Sequence, residues 1–213
     1  MYKTSAFDDN ADKYDRWYDG NKEIYDSELL ASKQVVPAGK RGLEVGVGTG
    51  RFAVPLGVKI GVEPSEAMSS IARQRGVKVK KGFAENLPFK DKSFDFVLFV
   101  TTICFLDDIS QSFNEAYRVL KENGEIIIGL IDKNSYLGKI YEKIKKSNKF
   151  YKNAKFYSVD ETVNLLKLNN FYDFVFYQTI INPNKKVIEK PQPGYGKGSF
   201  VVVKAVKNLR LFF

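Results

Sequence analysis

An apolar strand that runs into alternating glycines is the feature that most constrains this chain. Residues 43–50 read Leu-Glu-Val-Gly-Val-Gly-Thr-Gly. Because glycine has no Cβ, a backbone with glycine at 46, 48 and 50 can turn sharply and approach a bound molecule closely. A helix that starts after Gly48 would direct its free N–H groups and its dipole at the same molecule. The pattern predicts a strand, a tight turn and a site for a nucleotide-like or anionic ligand.

The spacing of these glycines discriminates between nucleotide ligands. The dinucleotide fingerprint G-x-G-x-x-G needs its third glycine at position 51, where this chain has Arg51, and Gly50 comes one residue early. A carboxylate follows the next apolar strand, in Gly61-Val62-Glu63-Pro64, and it can accept hydrogen bonds from both hydroxyls of a ribose. The glycine turn and Glu63 together predict a nucleoside site, and the glycine register argues against a nicotinamide-dependent oxidoreductase.

Four segments over roughly residues 40 to 131 resemble, in the expected order, the class I S-adenosylmethionine-dependent methyltransferases. They are Glu44-x-Gly46-x-Gly48-x-Gly50, then Glu63 after the second strand, then Gly82-Phe83-Ala84-Glu85-Asn86-Leu87-Pro88-Phe89, and finally Ser93-Phe94-Asp95-Phe96-Val97. Within that family the chain looks most like the small-molecule methyltransferases related to those of quinone biosynthesis. The resemblance implies S-adenosylmethionine as cofactor and S-adenosylhomocysteine as product, without a metal.

The resemblance also implies which residues hold the cofactor. Glu44 and the three glycines would hold its methionine end, Glu63 its ribose, and the loop at residues 84 and 85 its adenine. Thr101 follows the fourth strand, at the edge where open α/β sheets bind ligands. The implied cofactor set is Glu44, Gly46, Gly48, Gly50, Glu63, Pro64, Ala84, Glu85 and Thr101. The alternatives are a structural anchor for Glu44, a solvated surface acid for Glu63 or Glu85, and simple turns for the glycines.

The composition limits the chemistry and the environment of the chain. Its 213 residues suit one α/β domain. No window approaches the roughly 20 apolar residues that span a bilayer, and the N-terminus is polar, so we expect a cytoplasmic protein. The sequence has no histidine and only Cys104, which leaves out the commonest general base and any cysteine metal cluster. No catalytic base is identified, since methyl transfer from a sulfonium needs mainly in-line alignment.

The net charge of +9 leaves the class of partner open. Residues 139–157 interleave lysines with tyrosines and phenylalanines, which could bind RNA or attract an acidic small molecule. A solvated helix with an aromatic inner face is the alternative. The main prediction is therefore methyl transfer to an O, N, C or S atom of a small molecule. The alternatives are an RNA methyltransferase that uses this segment and a binding module without turnover.

The order of elements predicts an α/β, Rossmann-like class I methyltransferase fold. We expect a mostly parallel seven-stranded sheet with an antiparallel terminal hairpin and helices on both faces. The chain divides into residues 1–36 as N-terminal helices or lid, 40–131 as cofactor core, 132–157 as a substrate-side insertion, and 158–213 as the last helix and hairpin. Residues 7–19 are predicted to form one amphipathic helix, and Arg51 to about Leu56 a short one, despite Pro55.

Five residues are candidates for the acceptor pocket. They are Tyr14 and Tyr18 on the lid stripe, Thr102 after the fourth strand, Tyr151 in the insertion and Tyr195 in the glycine-rich loop of the hairpin. Residues 209–213 are predicted to dock on the body or on a second subunit, so the sequence leaves a monomer and a homodimer open.

Overall fold

A computed structural model describes residues 5–208, and its central element is one mixed eight-stranded sheet. The strands in chain order are β1 Gly42–Val45, β2 Ile60–Glu63, β3 Lys78–Lys81, β4 Phe94–Val100, β5 Leu120–Ile131, β6 Phe171–Thr179, β7 Gln192–Pro193 and β8 Phe200–Lys207. Their spatial order is β3-β2-β1-β4-β5-β8-β6-β7. β1 to β5 pair in parallel, whereas β8 runs antiparallel between β5 and β6. The predicted parallel sheet with an antiparallel terminal hairpin is confirmed, with the two-residue β7 as an eighth strand.

Strand β4 lies at the centre of the sheet because its sequence is apolar on both faces. All of its residues from Phe96 to Val100 are buried, as a parallel strand covered on two sides requires. Phe94 and Phe99 belong to the core on one face, and Phe96 and Leu98 to the core on the other. The order of strands reverses between β1 and β4, which is the point where open α/β sheets form a crevice at their carboxyl ends.

Seven helices cover the two faces of the sheet within residues 5–208. They are α1 Ser5–Asp8, α2 Ala11–Gly20, α3 Lys22–Lys33, α4 Glu66–Gln74, α5 Ile109–Val119, α6 Tyr136–Ile144 and α7 Val159–Leu168. Two N-caps follow from sequence: the Ser65 hydroxyl accepts from the Met68 N–H at 3.3 Å, and Ser158 with Glu161 forms a capping box. None of the helices described has the length and apolar character that crossing a bilayer requires.

Two predicted helices differ from the structure. Residues 51–57 form successive turns instead of a helix from Arg51 to Leu56, because Pro55 lacks an N–H donor and its ring disfavours a helix interior. The predicted helix over 7–19 is divided into α1 and α2. Asn10 between them has non-helical backbone angles, and its side chain donates to the Ala6 carbonyl at 2.9 Å, a local bond that competes with helix formation.

Candidate active site

A cleft of about 830 Å³ opens at the carboxyl ends of β1, β2 and β4. Most of the predicted cofactor residues line it, together with neighbours from α1, α2 and α4. From the predicted set, the lining residues are Gly46, Gly48, Glu63, Pro64, Ala84, Glu85 and Thr101. Residues on three separate strand ends and their loops therefore face one cavity, as their order along the chain predicts.

The glycine turn after β1 has no room for a side chain at Gly46. Gly46 has a φ of +67°, and a Cβ built there would lie 2.4 Å from the Cγ2 atom of Thr102. Gly48 also has a positive φ, and its N–H donates to Glu63 Oε2 at 2.9 Å. Gly50 does not line the cleft, because its Cα faces Ala72 and Val77 behind it. The turn therefore presents bare backbone to the cleft at positions 46 and 48, while Gly50 allows the turn to pack on α4.

Glu63 joins the glycine turn to the next loop. One carboxylate oxygen accepts from the Gly48 N–H, and the other accepts from the Ser65 N–H at 3.0 Å. Burial, opposed by these two hydrogen bonds, raises the pKa of Glu63 to about 7. Each carboxylate oxygen has more than one lone pair, so both retain an acceptor site for a ribose hydroxyl in the cleft. The donor and acceptor groups fit the predicted nucleoside.

Glu44 lies beneath the cleft and does not line it. Its side chain is buried, and its Oε2 atom has no hydrogen-bond partner among residues 5–208. Burial, followed by the charge of Glu63, raises the pKa of Glu44 well above its ordinary value. An unpaired polar atom at this depth is costly. A bridging water to the amino acid end of the cofactor would satisfy it, which is the role the resemblance implies.

The opposite end of the cleft is formed by the loop after β3. Ala84 is buried and lines the cleft, with Gly82 and Phe83 beside it. Glu85 also lines it, but its Oε1 atom accepts from the N–H groups of Asp107 and Asp108 at 3.0 and 3.3 Å. The carboxylate of Glu85 thus orders the start of α5, and only its remaining lone pairs could meet an adenine.

A second cavity of about 440 Å³ adjoins the cleft. Three residues line both cavities, namely Tyr14, Thr101 and Phe105. Half of the remaining lining residues are aromatic, namely Tyr141, Tyr151, Phe156 and Tyr157. We call this space the aromatic cavity. Thr101 at the boundary has a φ of +51°, an uncommon conformation for a β-branched residue.

The N-terminal helices cover the cleft from outside. Phe7 lines it, and the Phe7 ring centroid lies 5.1 Å from that of Phe105 and 5.6 Å from that of Phe150. The Ser65 hydroxyl donates to Asp8 at 2.6 Å. These contacts place α1 and α2 in the position that the predicted lid would occupy.

Ion pairs fasten α2 to the glycine turn. Asp15 accepts from Arg51 Nη2 at 2.7 Å and from Arg75 Nη1 at 2.6 Å, and Arg51 also pairs with Asp19 at 2.8 Å. Burial alone would raise the pKa of Asp15, but the two guanidinium groups hold it well below its ordinary value. Arg51, at the position of the third glycine in a dinucleotide fingerprint, therefore binds the helix that covers the cleft.

The five predicted acceptor residues have different positions. Tyr14 lines both cavities, Thr102 lines the cleft, and Tyr151 lines the aromatic cavity. Tyr18 lines neither; it packs behind Tyr14, and the two hydroxyls are 3.2 Å apart. Tyr195 also lies outside both cavities, where its hydroxyl donates to Asp160 at 3.0 Å. The structure gives no support for a direct role of Tyr195.

Several lining residues were missed by the motifs. Met68, Leu106 and Asp107 line the cleft, and Tyr141 and Phe156 line the aromatic cavity. Met68 occupies the first turn of the helix after Glu63, so its place beside the ligand edge could have been read from the strand–turn–helix order. The residues of the aromatic cavity carry no such signal, because they come from segments far apart in sequence. Residues 209–213, predicted to dock on the body, lie outside the described residues.

Comparison with known proteins identifies the family. A methyltransferase domain profile matches residues 43–128. An uncharacterised protein of Methanocaldococcus jannaschii is 48% identical over 204 residues, which cover 95% of this chain and 99% of that protein. Demethylmenaquinone methyltransferase of Chlorobaculum tepidum is 35% identical over 108 residues, which cover 46% of this chain and 45% of that enzyme.

A solved structure is similar over nearly the whole length. It is the crystal structure of a Thermotoga maritima protein described as an S-adenosylmethionine-dependent methyltransferase and possible histamine N-methyltransferase. The TM-score is 0.93 at 50% sequence identity, with 96% of this chain and 100% of that chain covered. The family predicted from the glycine turn and the three segments after it is confirmed, as is the resemblance to quinone-biosynthesis methyltransferases. The chain belongs to the S-adenosylmethionine-dependent methyltransferases and is an enzyme of that class.

Proposed function

We propose that this enzyme transfers the methyl group of S-adenosylmethionine to a nucleophilic atom of a small molecule held in the aromatic cavity. The observation that carries the proposal is the shared wall of the two cavities, formed by Tyr14, Thr101 and Phe105. A donor in the cleft and an acceptor in the aromatic cavity would meet at that wall. Holding two reactants in line supplies much of the catalysis that such a transfer needs.

The residues of the cleft fit the parts of the cofactor. Glu63 would accept hydrogen bonds from the ribose hydroxyls, and Ala84 would contact the adenine. The backbone at Gly46 and Gly48 carries no side chain and would leave room for the methionine end. Glu44 would hold the amino acid end through water. When bound, S-adenosylmethionine supplies a methyl group on a positively charged sulfur, and the protein has to exclude water and align the acceptor.

The orientation of residues 139–157 favours a small acceptor over RNA. Tyr141, Tyr151 and Phe156 face the aromatic cavity, and Tyr157 is buried. Lysines of the same segment, such as Lys146 and Lys152, are exposed on the outside. Base stacking needs exposed aromatic faces next to the phosphate-binding cations, and none of the five aromatic residues of this segment is exposed.

Nitrogen is the acceptor atom that we favour among O, N, C and S. The support is the Thermotoga maritima relative, which is described as a possible histamine N-methyltransferase at 50% identity over the whole of that chain.

Calorimetry with S-adenosylmethionine and S-adenosylhomocysteine tests the cofactor site. We expect micromolar binding to the wild type and a loss of about 1.5–3 kcal/mol in Glu63→Ala, the scale of hydrogen bonds to a charged group. Glu66→Ala is the matched control, since Glu66 is an exposed acid three residues away that pairs with Arg73. Equal affinities of Glu63→Ala and the control would remove the ribose assignment.

The pH dependence of cofactor binding is a second test of the role of Glu63. Because burial raises the pKa of Glu63 to about 7, the carboxylate that accepts from the ribose forms as pH rises from about 6 to about 8. Affinity for S-adenosylhomocysteine should increase over that range in the wild type and stay flat in Glu63→Gln. A parallel increase in both proteins would assign the titration to another group.

Tight cofactor binding without a methylated product from any extract would favour a binding module without turnover.

A further inference from the structure

The aromatic cavity has an uncharged wall. Among the residues that the structure describes, its eleven lining residues include no acid, lysine or arginine. The acids that line the neighbouring cleft, namely Glu63, Glu85 and Asp107, do not line the aromatic cavity. The polar side chains of its wall are those of Thr101, Cys104, Tyr14, Tyr141, Tyr151 and Tyr157. A molecule in this cavity therefore meets hydroxyl groups and ring faces, and no lining residue carries a full charge.

The buried titratable groups of this wall keep their protons at neutral pH. Burial disfavours their charged forms and raises the pKa of Tyr14, of Tyr141 and of the Cys104 thiol to about 12 in each case. Burial also raises the pKa of Tyr151 well above its ordinary value. These four groups therefore stay uncharged between about pH 6 and about pH 9.

Two stacked tyrosines in the wall have hydroxyls that no described residue satisfies. The rings of Tyr141 and Tyr151 stack with centroids 5.3 Å apart. Neither hydroxyl has a hydrogen-bond partner in the range 5–208, whereas the Tyr14 hydroxyl lies 3.2 Å from that of Tyr18. A tyrosine hydroxyl can donate one hydrogen bond and accept others. A polar, uncharged group in the cavity would satisfy both.

The cost of desolvation argues against a charged molecule in this cavity. Without a counter-charge, the cost of moving an ion out of water exceeds what the attraction of a cation to aromatic rings returns. An anion is opposed further, because the faces of aromatic rings are negative. A neutral molecule avoids this cost and keeps the hydrogen bonds to the tyrosine hydroxyls.

The chemistry of methyl transfer also requires an uncharged nucleophile here. The acceptor attacks the methyl carbon with a lone pair, which a protonated amine lacks. The cleft that shares the wall of the cavity is where the positively charged sulfonium would lie, and it would repel a second positive charge. The free base of an amine meets both conditions.

We propose that the methyl acceptor is an uncharged small molecule, held in its neutral form by hydrogen bonds to the Tyr141 and Tyr151 hydroxyls. For a nitrogen acceptor, the form that binds is the free base. The inference rests on the proposed function, because it takes the aromatic cavity as the acceptor site. It adds the protonation state of the substrate and two residues that recognise it.

Calorimetry with saturating S-adenosylhomocysteine tests the charge of the bound form. The probes are 2-phenylethanol and 2-phenylethylamine, which have similar shapes and differ in a hydroxyl against an amine. An alkylamine titrates near the lysine value of about 10.4, so its affinity should increase about ten-fold from about pH 8 to about pH 9. The affinity for the alcohol should stay constant and should be the higher of the two at about pH 7.

Three outcomes of this titration would overturn the proposal. They are an amine affinity that does not change with pH, an amine that binds as tightly as the alcohol at about pH 7, and binding of neither probe.

Glu28→Gln is the control for this pH dependence. Glu28 is a buried acid on α3 that lines neither cavity, and burial raises its pKa to about 8. Its carboxylate therefore forms in the same pH range as the free base of the probe increases. The increase in amine affinity should persist in Glu28→Gln. If it disappears there, the carboxylate attracts the cation, and the proposal fails.

Tyr141→Phe and Tyr151→Phe test the two hydroxyls. Each should weaken the binding of 2-phenylethanol about three- to ten-fold, the scale of one neutral hydrogen bond, and leave the affinity for S-adenosylhomocysteine unchanged. Tyr195→Phe is the matched control, since its hydroxyl lies outside both cavities, and it should bind the alcohol as the wild type does. Unchanged alcohol affinity in both cavity variants would overturn the proposal.

Cofactor affinity separates the failure of this proposal from the failure of the proposed function. A wild type that binds S-adenosylmethionine and S-adenosylhomocysteine but does not prefer the neutral probe loses only this proposal. A wild type that binds neither cofactor would remove the proposed function.

Discussion

The cleft and the aromatic cavity share a wall but are built in different ways. The cleft is formed mainly by backbone turns at the ends of neighbouring strands, and two acids in its wall, Glu63 and Glu85, each accept from two backbone N–H groups. The aromatic cavity is formed by side chains from α2, the segment after β4, and α6 with the residues that follow it. Parallel strands bring their ends together whatever the side chains are, whereas the aromatic cavity depends on how separate elements pack.

This difference separates the binding of the cofactor, which the whole family shares, from the binding of the acceptor, which differs between its members. A site made by strand ends suits a cofactor that the whole family shares. A site made by packed side chains can change its chemistry through single substitutions while the sheet stays the same. We therefore expect substitutions in the cleft to affect cofactor binding and folding together, and substitutions in the aromatic cavity to affect the acceptor alone.

Gly46→Ala should have the largest effect and tests the backbone character of the cleft. A Cβ at Gly46 would lie 2.4 Å from Thr102 Cγ2 at a φ of +67°. The left-handed conformation costs about 1–2 kcal/mol and the clash about 1–3 kcal/mol more. Urea unfolding should show a loss within the sum of these two terms, and calorimetry should detect no cofactor binding.

Gly39→Ala provides the control for that substitution. Gly39 has a φ of +73°, and a Cβ there would meet no atom within 4 Å. It should lose only the conformational contribution and bind the cofactor normally. If Gly46→Ala behaved like Gly39→Ala, the cleft would not depend on close backbone approach, and the contrast with the aromatic cavity would fail.

Asp15→Asn should have an intermediate effect, because α2 belongs to both regions. The substitution removes the charge that Arg51 and Arg75 share, although Arg51 keeps Asp19 and Arg75 keeps the Thr49 carbonyl. After allowance for partial exposure of the arginines, we expect a loss of about 1–2 kcal/mol in urea unfolding at neutral pH. Asp19→Asn should lose less, since the Asp19 side chain is 62% exposed.

The stability that Asp15 contributes should decrease as the pH becomes acidic. Its folded-state pKa lies below its ordinary value, so its contribution is present above about pH 4 and is lost as pH falls further. The difference between wild type and Asp15→Asn should shrink in that range. A difference that stays constant down to about pH 2 would contradict the ion-pair account.

Tyr195→Phe should have the smallest effect and tests the boundary of the acceptor site. Tyr195 is 42% exposed and lines neither cavity. Losing its bond to Asp160 should change the free energy of unfolding by less than about 0.5 kcal/mol, the usual limit for surface substitutions. Cofactor affinity should not change. A clear loss of methyl transfer in this variant would extend the acceptor site to the hairpin loop.

The sequence predicts the sheet and the cofactor side because local signals there agree with the fold. The apolar run of β4, the cap at Ser65 and the capping box at Ser158 each correspond to a feature of the structure. The helix predicted from Arg51 to about Leu56 is wrong: a crossover between parallel strands usually contains a helix, but this one is short and includes Pro55, and the structure has turns at 51–57. The break at Asn10 depends on one side-chain bond that no periodicity reveals.

The acceptor side could not be predicted to the same depth. Tyr14 and Tyr151 were selected from aromatic patterns, but their meeting at one cavity depends on how α2 and residues 145–157 pack against the end of β4.

Thr101 has a consequence for any attempt to improve this enzyme. A threonine with a φ of +51° is in a conformation that glycine or asparagine would adopt with less strain, and this one lies where donor and acceptor would come together. Selection for heat resistance alone should therefore replace position 101 early. The improved protein would have a relaxed backbone at the boundary of the two cavities, so screens should score turnover alongside survival at high temperature.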